Sequence, residues 1–169
     1  MQLEQAIKTA LEYERRVRDS YLDALKKMKD DVGRHVFQVL ADEEQDHIEY
    51  LEGRLGEWQR TGQVTVEKLA TAIPGPEQIA AGVKQLKQPL QRIDRGAELE
   101  LLKRALEAEL ATGSFYQQMV AELDGDGQKM FARFLEIENG HSTIVQAQID
   151  AVSGLGYWFD LREFNLEAG

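Results

Sequence analysis

The sequence predicts an all-α protein built as a bundle of four long helices. Apolar residues recur every three or four positions through four stretches that contain almost no proline. These stretches are residues 2–30, 34–60, 95–123 and 127–153. Turn sequences follow the first and third stretches, at 30–33 (Asp-Asp-Val-Gly) and 124–127 (Asp-Gly-Asp-Gly). Such turns fold consecutive helices back on each other, so the sequence predicts two antiparallel hairpins.

A single long connection joins the two predicted hairpins. All three prolines, Pro74, Pro76 and Pro89, fall within residues 61–94, a stretch long enough to run the length of a bundle. Two hairpins joined by one crossover differ from the simple up-down-up-down order. We therefore expect one domain over residues 1–153, followed at 154–169 by an aromatic-rich C-terminal tail that docks on the bundle or on a second subunit.

Composition and charge exclude several classes of partner. The formal net charge of -10 means that phosphate backbones and anionic lipid surfaces would repel the chain, so we expect no nucleic acid and no membrane partner. The first residues mix charged and apolar positions at helical spacing, unlike a secretory signal, which predicts a cytoplasmic protein. Because the chain has no cysteine, oxygen and imidazole nitrogen must supply the ligands of any metal.

Two glutamates interrupt the apolar stripes of the first and third predicted helices. Glu14 stands one heptad before Tyr21, and Glu109 stands one heptad before Tyr116, at positions where the stripe calls for an apolar side chain. The matching spacing in the two halves indicates an internal duplication. Each hairpin therefore begins with a helix that carries one inward-facing carboxylate.

A Glu-x-x-His pair occupies the core face of the second and fourth predicted helices. The pairs are Glu44 with His47 and Glu138 with His141. Residues three apart on a helix share a face, so each pair can direct both groups at one point near the bundle axis. Glu44 follows Glu14 by 30 residues and Glu138 follows Glu109 by 29, which extends the internal duplication to these pairs.

The buried carboxylates predict a site for two metal ions. An unpaired buried carboxylate costs several kcal/mol, and four of them in one core also repel each other. Two divalent cations balance four glutamates, and neutral imidazoles complete the set of ligands. Carboxylate and imidazole together suit iron, manganese or zinc better than magnesium or calcium. The predicted metal ligands are Glu14, Glu44, His47, Glu109, Glu138 and His141.

This pattern of residues resembles the rubrerythrin-like branch of the ferritin-like superfamily, over residues 1 to about 153. The resemblance implies a ferritin-like four-helix bundle and a cofactor of two iron ions that reacts with peroxide or dioxygen. It also implies that His47 and His141 bind one metal each, with Glu44 and Glu109 as bridging or flexible ligands. A homodimer is expected from the family and from the aromatic tail.

The chain departs from that family in two respects. Full-length rubrerythrins carry a rubredoxin-like domain with four cysteines, and this chain has none, so turnover requires an external electron donor such as a rubredoxin-like protein or a flavoprotein. Rubrerythrin-type sites also use a further glutamate one turn after the third-helix ligand, where this chain has Thr112. The set of six ligands resembles a bacterioferritin ferroxidase site equally well.

Three functions are compatible with these residues. The first is a di-iron oxidoreductase, of peroxide reductase or ferroxidase type, that oxidises Fe(II) with peroxide or dioxygen. The second is iron binding and storage without catalytic turnover, and the third is a pair of metals that only brace the bundle. Tyr21 and Tyr116 are candidate catalytic residues, because a phenol can hydrogen-bond a ligand carboxylate or carry an oxidising equivalent; core packing is the alternative.

Three further acidic residues beside the predicted ligands of the second helix are not included among the ligands. Asp42, Glu43 and Asp46 flank Glu44 and His47 on the same helix. We expect them to be solvated charges that could guide cations towards the site.

Overall fold

The computed structural model describes residues 2–85, 95–156 and 158–161, and these residues form five helices and no strand. The helices are α1 (Leu3–Lys27), α2 (Asp31–Thr61), α3 (Pro76–Gln85), α4 (Gly96–Glu122) and α5 (Gly125–Leu155). The prediction of an all-α protein is thereby confirmed. Within the described ranges, no helix combines the length and the apolar character that a membrane span requires.

The turns inside the two hairpins are shorter than predicted. Asp30 caps α2, because its Oδ1 accepts hydrogen bonds from the backbone N–H groups of Val32 (2.9 Å) and Gly33 (3.1 Å). Residues 31–33 therefore belong to the first turn of the helix and not to the connection. In the second hairpin α5 already begins at Gly125, so most of the predicted turn at 124–127 is also helical.

Contacts between α1 and α4 set the relative directions of the helices. Tyr21 of α1 contacts Glu109 of α4, and Tyr116 of α4 contacts Glu14 of α1, so these two helices run antiparallel. Each also packs along the next long helix of its own hairpin. Consequently α2 and α4 run in the same direction, and the chain must return along the bundle between them.

The connection between the hairpins starts with a segment that is not helical and continues as a short helix. Residues 62–75 contain no helix, and their passage along α5 is marked by Arg133, whose guanidinium donates to the carbonyl oxygen of Leu69 (2.9 and 3.0 Å). Helix α3 then packs against α5. The remainder of the predicted crossover, residues 86–94 with Pro89, lies outside the described residues.

The apolar core consists of two separate clusters, one towards each end of the bundle. The first apolar cluster includes Tyr21, Phe37, Leu40, Leu102 and Val145. The second apolar cluster includes Ile7, Leu51, Tyr116, Met119 and Phe131. Each cluster takes residues from α1, α2, α4 and α5. The polar residues predicted as ligands lie at helix positions between the two clusters.

Residues 158–161 pack against the first apolar cluster. The Trp158 indole meets the Phe37 ring edge-on at 5.7 Å and donates from Nε1 to Glu98 Oε2 at 2.9 Å. The buried amide of Gln148 donates to the Phe159 carbonyl oxygen at 2.8 Å and accepts from its N–H at 3.3 Å. Tyr157 and residues 162–169, including Phe164, are outside the described part of the predicted tail.

A substitution at Gly33 tests how closely the start of α2 packs against Trp158. A Cβ at Gly33 would lie 2.8 Å from Trp158 Cε2 and 2.9 Å from Met28 Sδ, shorter than van der Waals contact. We expect Gly33→Ala to lower the free energy of unfolding by about 1–3 kcal/mol, measured by denaturant titration. The control is Gly53→Ala in the same helix, where a Cβ meets open space and helix propensity predicts a gain of about 0.5–1 kcal/mol. Equal effects of the two variants would contradict the close packing.

Candidate metal centre

The six predicted ligands meet in one layer between the two apolar clusters. Helices α1 and α4 each contribute one glutamate, and α2 and α5 each contribute a glutamate and a histidine one turn apart. All six side chains are at most 1% exposed to solvent. They are Glu14, Glu44, His47, Glu109, Glu138 and His141. Because bulk solvent does not reach these side chains, their polar atoms depend on partners inside the bundle.

Each histidine directs its Nδ1 atom at several carboxylates. The Nδ1 of His47 lies 3.2 Å from Glu14 Oε2, 3.3 Å from Glu44 Oε2 and 3.4 Å from Glu138 Oε1. The Nδ1 of His141 lies 2.8 Å from Glu44 Oε1 and 3.8 Å from Glu109 Oε1. The two imidazole rings are parallel, with centroids 5.4 Å apart.

These contacts divide the six predicted ligands into two overlapping groups, and a third group of possible ligand atoms, from Glu43, His47 and His141, adjoins them. In each group the candidate ligand atoms lie within 4.8 Å of one another. The His47 group consists of Glu14, Glu44, His47 and Glu138, and the His141 group consists of Glu44, Glu109, Glu138 and His141. Glu44 and Glu138 belong to both groups, whereas the family resemblance implied Glu44 and Glu109 as the bridging or flexible pair. Glu14 belongs only to the His47 group and Glu109 only to the His141 group, while the third group joins Glu43 to both histidines.

The two tyrosines hold the unshared glutamates across the bundle. The phenol of Tyr21 donates to Glu109 Oε1, and the phenol of Tyr116 donates to Glu14 Oε1. Each tyrosine thus bonds the glutamate of the opposite hairpin and not the one a heptad before it. Burial, together with the nearby carboxylate charges, raises the pKa of both phenols well above 10.0, so both remain donors. A role in carrying an oxidising equivalent stays a prediction.

Burial and mutual repulsion keep protons on part of the cluster. Burial and the charge of neighbouring glutamates raise the pKa of Glu44 and Glu138 well above 4.5. Burial alone would also raise the pKa of Glu14, but a hydrogen bond from Glu44 and the charge of His47 lower it to about 2. Burial disfavours a charged His141, yet the carboxylates of Glu44 and Glu43 outweigh burial and raise its pKa to about 10.

The cluster leaves several buried polar atoms without a hydrogen-bond partner in the described part of the chain. They are Glu44 Oε2, His47 Nε2, Glu109 Oε2, both carboxyl oxygens of Glu138, and His141 Nε2. Buried polar atoms in proteins are rarely unpaired, because each costs about 1–3 kcal/mol. A cation among the carboxylates would satisfy the oxygens and replace the protons that now limit their repulsion. The donor set therefore fits a bound metal ion.

The interpretation of Glu43 as a solvated charge is wrong. Glu43 is only 9% exposed, and its carboxylate accepts hydrogen bonds from Thr71 Oγ1 (2.5 Å) and from the backbone N–H of Ala72 (2.7 Å). Its Oε2 also lies 3.5 Å from His141 Nε2. Sequence periodicity places Glu43 off the core stripe, and nothing in the pattern shows that the connection covers that side of α2. Asp42 and Asp46, by contrast, are exposed as predicted.

Thr112 adds no ligand to the cluster. Its side chain is fully buried, at the place where rubrerythrin-type sites have a further glutamate, and its hydroxyl donates to the Ala108 carbonyl oxygen of its own helix at 3.0 Å. The hydroxyl of Thr112 is therefore directed at its own helix and not at the six predicted ligands.

Comparison of the chain with known protein families, with curated proteins and with solved structures finds no match. The function must accordingly be inferred from the site itself.

Replacing Glu138 by leucine should stabilise the metal-free protein while removing metal binding. Both Glu138 oxygens are buried and have no hydrogen-bond partner among the described residues, so an apolar side chain of similar size removes their desolvation penalty. We expect the free energy of unfolding in the presence of a chelator to rise by about 1–3 kcal/mol. Elemental analysis should show that the same variant loses its metal. A variant that is less stable than the wild type in chelator would mean that Glu138 contributes favourably without metal.

The stability of the metal-free protein should fall as the pH rises from about 6.5 to about 10. In the folded protein the pKa of His141 is about 10, whereas in the unfolded chain the same imidazole loses its proton near pH 6.5. The proton bound by the folded state therefore stabilises it fully below pH 6.5, and this stabilisation is lost as the pH approaches 10. The raised pKa of Glu44 and Glu138 acts in the same direction. Metal binding displaces these protons, so the difference in melting temperature between loaded and metal-free protein should widen with pH.

Thermal unfolding in chelator and in Zn²⁺ across this pH range measures both effects. The variant His141→Gln, which cannot take up the imidazole proton, serves as the control and should flatten the slope of the metal-free protein. A wild-type melting temperature that rises between pH 6.5 and pH 10 in chelator would contradict the raised pKa of His141.

Proposed function

We propose that this protein is a ferritin-like di-iron oxidoreductase, in which hydrogen peroxide or dioxygen is reduced with electrons from Fe(II) held by the buried cluster. The observation that carries the proposal is the pair of overlapping groups, each with one histidine, that share Glu44 and Glu138. The directions of the helices support the ferritin-like assignment, because α2 and α4 run the same way and require a long crossover.

The charge and chemistry of the ligands favour two iron ions. Four carboxylates carry a charge of -4 when deprotonated, and two divalent cations balance it with neutral imidazoles. Mixed carboxylate and imidazole ligands suit iron, manganese or zinc. Iron is the member of this set that commonly exchanges single electrons with peroxide and dioxygen, and it therefore fits a redox function best.

The residues of the chain would perform three tasks around such a pair. Glu14 and His47 would bind one ion, Glu109 and His141 the other, and Glu44 and Glu138 would be shared. The protonated phenols of Tyr21 and Tyr116 would hold the two unshared carboxylates in place. The apolar clusters above and below the layer would exclude bulk water from the site.

Two Fe(II) ions would supply the two electrons that, together with two protons, convert one hydrogen peroxide into two water molecules. The carboxyl groups of Glu44 and Glu138 and the imidazole of His141 would release their protons to solvent when the cations bind, so the two protons consumed by peroxide would be taken up from solvent. Electrons for further turnover would come from an external donor, since these 169 residues contain no cysteine with which to build a rubredoxin-type centre.

Anaerobic mixing of the Fe(II)-loaded protein with peroxide tests this proposal. We expect elemental analysis to give about two irons per chain, and stopped-flow absorption to show oxidation within seconds. The Glu138→Leu variant is the control, since it should bind little iron and oxidise Fe(II) no faster than buffer does. Slow oxidation in the wild type would overturn the redox proposal.

The same preparation separates turnover from storage. An enzyme should be re-reduced by a chemical or protein donor and should react again with peroxide, and a small oligomer such as a homodimer suffices for it. Storage requires a hollow shell of many subunits, which light scattering would detect. A large shell that accumulates oxidised iron without re-reduction would favour storage over the proposed enzyme.

A further inference from the structure

The third group of possible ligand atoms has the composition of a site for one metal ion. Glu43, His47 and His141 each offer one atom to this group, and the three atoms lie within 4.8 Å of one another. Two imidazoles with one carboxylate are a donor set that holds a single Zn²⁺ or Fe(II) ion in many proteins. The group therefore has the chemistry to bind an ion apart from the pair proposed above.

The two nitrogens of each histidine have different surroundings. The Nδ1 atom of His47 lies 3.2 Å from Glu14 Oε2, and that of His141 lies 2.8 Å from Glu44 Oε1. Both Nε2 atoms are without a hydrogen-bond partner in the described part of the chain, and both side chains are at most 1% exposed. A neutral imidazole that donates from Nδ1 keeps its lone pair on Nε2. In this geometry Nε2 is therefore the nitrogen available to a ligand.

Glu43 lies at a distance from His141 that suits two ligands of the same ion. Its Oε2 is 3.5 Å from His141 Nε2, which is longer than a typical hydrogen bond. Two ligand atoms that each lie about 2.0–2.2 Å from a tetrahedral Zn²⁺ are separated by roughly 3.3–3.6 Å. The contact thus fits a cation placed between the two atoms better than it fits a direct bond.

The connection between the hairpins holds the carboxylate of Glu43 in this position. Ala72 donates its backbone N–H to Oε1 at 2.7 Å, and the Thr71 hydroxyl donates to Oε2. A carboxylate oxygen has a second lone pair, so Oε2 can bind an ion while it accepts from Thr71. Glu43 is 9% exposed, whereas the six ligands of the cluster are at most 1% exposed. The third group is therefore the one that lies nearest to solvent.

We propose that Glu43, His47 and His141 form an entry site, which binds one divalent transition-metal ion through the two Nε2 atoms before the ion reaches the carboxylate cluster. The entry role rests on the proposed function, because the cluster must bind metal to receive the ion. A neutral imidazole has one lone pair, so a histidine that binds an ion at Nε2 does not bind another at Nδ1. The entry site and the completed two-metal centre therefore exclude each other, and the saturated protein holds two ions.

The Glu138→Leu variant isolates the entry site. It removes a carboxylate that both cluster groups share, and it leaves Glu14 and Glu44 to accept from the Nδ1 atoms of His47 and His141. Anaerobic titration of this metal-free variant with Co²⁺, followed by calorimetry and visible absorption, should show one ion per chain. We expect this ion to exchange readily and to be lost on gel filtration, so elemental analysis of the filtered variant still finds little metal.

Two double variants identify Glu43 as a ligand of this ion. Glu43→Gln in the Glu138→Leu background should weaken the binding of Co²⁺ by about tenfold or more, because the neutral amide no longer supplies an anionic oxygen. Asp46→Asn in the same background is the control, since it removes the same charge from an exposed position of the same helix. Equal affinities of the two double variants, or no Co²⁺ binding by Glu138→Leu itself, would overturn the entry site.

Nitrogen NMR of ¹⁵N-histidine-labelled, Zn²⁺-bound Glu138→Leu protein shows which ring nitrogen holds the ion. We expect the proton that remains on the ring to be at Nδ1 in both His47 and His141. A proton at Nε2 of either histidine would place the ion among the cluster carboxylates and overturn the proposal. This measurement needs no change at Glu43, so it decides the question even where Glu43→Gln does not fold.

The rate of metal uptake by the two-metal centre tests the entry role. In stopped-flow mixing of metal-free protein with Co²⁺, Glu43→Gln should take up metal about tenfold or more slowly than the wild type and Asp46→Asn, while all three bind two ions at saturation. Equal rates would overturn the entry role. A wild type that binds fewer than two ions would overturn the proposed function instead, and the Glu138→Leu titration would still decide whether the third group binds metal.

Discussion

The main constraint on this structure is the burial of four carboxylates and two imidazoles in one layer of a helical bundle. Without a cation, protons on Glu44, Glu138 and the histidines limit the repulsion in this layer, and Tyr21 and Tyr116 donate hydrogen bonds to it. The apolar clusters on either side must therefore offset an unfavourable centre. A loss of stability of this kind is common where polar groups are preorganised for function, which is the role proposed for this layer.

Helix geometry explains how much of the site could be predicted from the sequence. Glu14 and Tyr21 are one heptad apart, and Glu44 and His47 are three residues apart, so a single helix fixes which side chains share a face. Four helices with such faces bring the ligands into one layer. The spacing along one helix does not show which side chain of another helix each of these residues contacts. The bonds from Tyr21 to Glu109 and from Tyr116 to Glu14 depend on the antiparallel packing of α1 and α4.

The connection between the hairpins could not be predicted to the same degree. Residues 62–75 have no periodic pattern, and their course is set by contacts far apart in sequence, such as Arg133 with the Leu69 carbonyl and Glu43 with Thr71. The same reason explains why Glu43 was interpreted as a solvated charge. Its burial arises from a segment about 28 residues further along the chain, and a helical pattern records only which side of its own helix a residue occupies.

The division of the core into two clusters has a consequence for how the protein comes apart. Each cluster takes side chains from both hairpins, so one hairpin alone supplies only part of either cluster. Neither hairpin can then unfold while the other persists as a stable subdomain. The chain should behave as one cooperative unit in spite of its repeated halves, since separating the hairpins exposes both clusters at once.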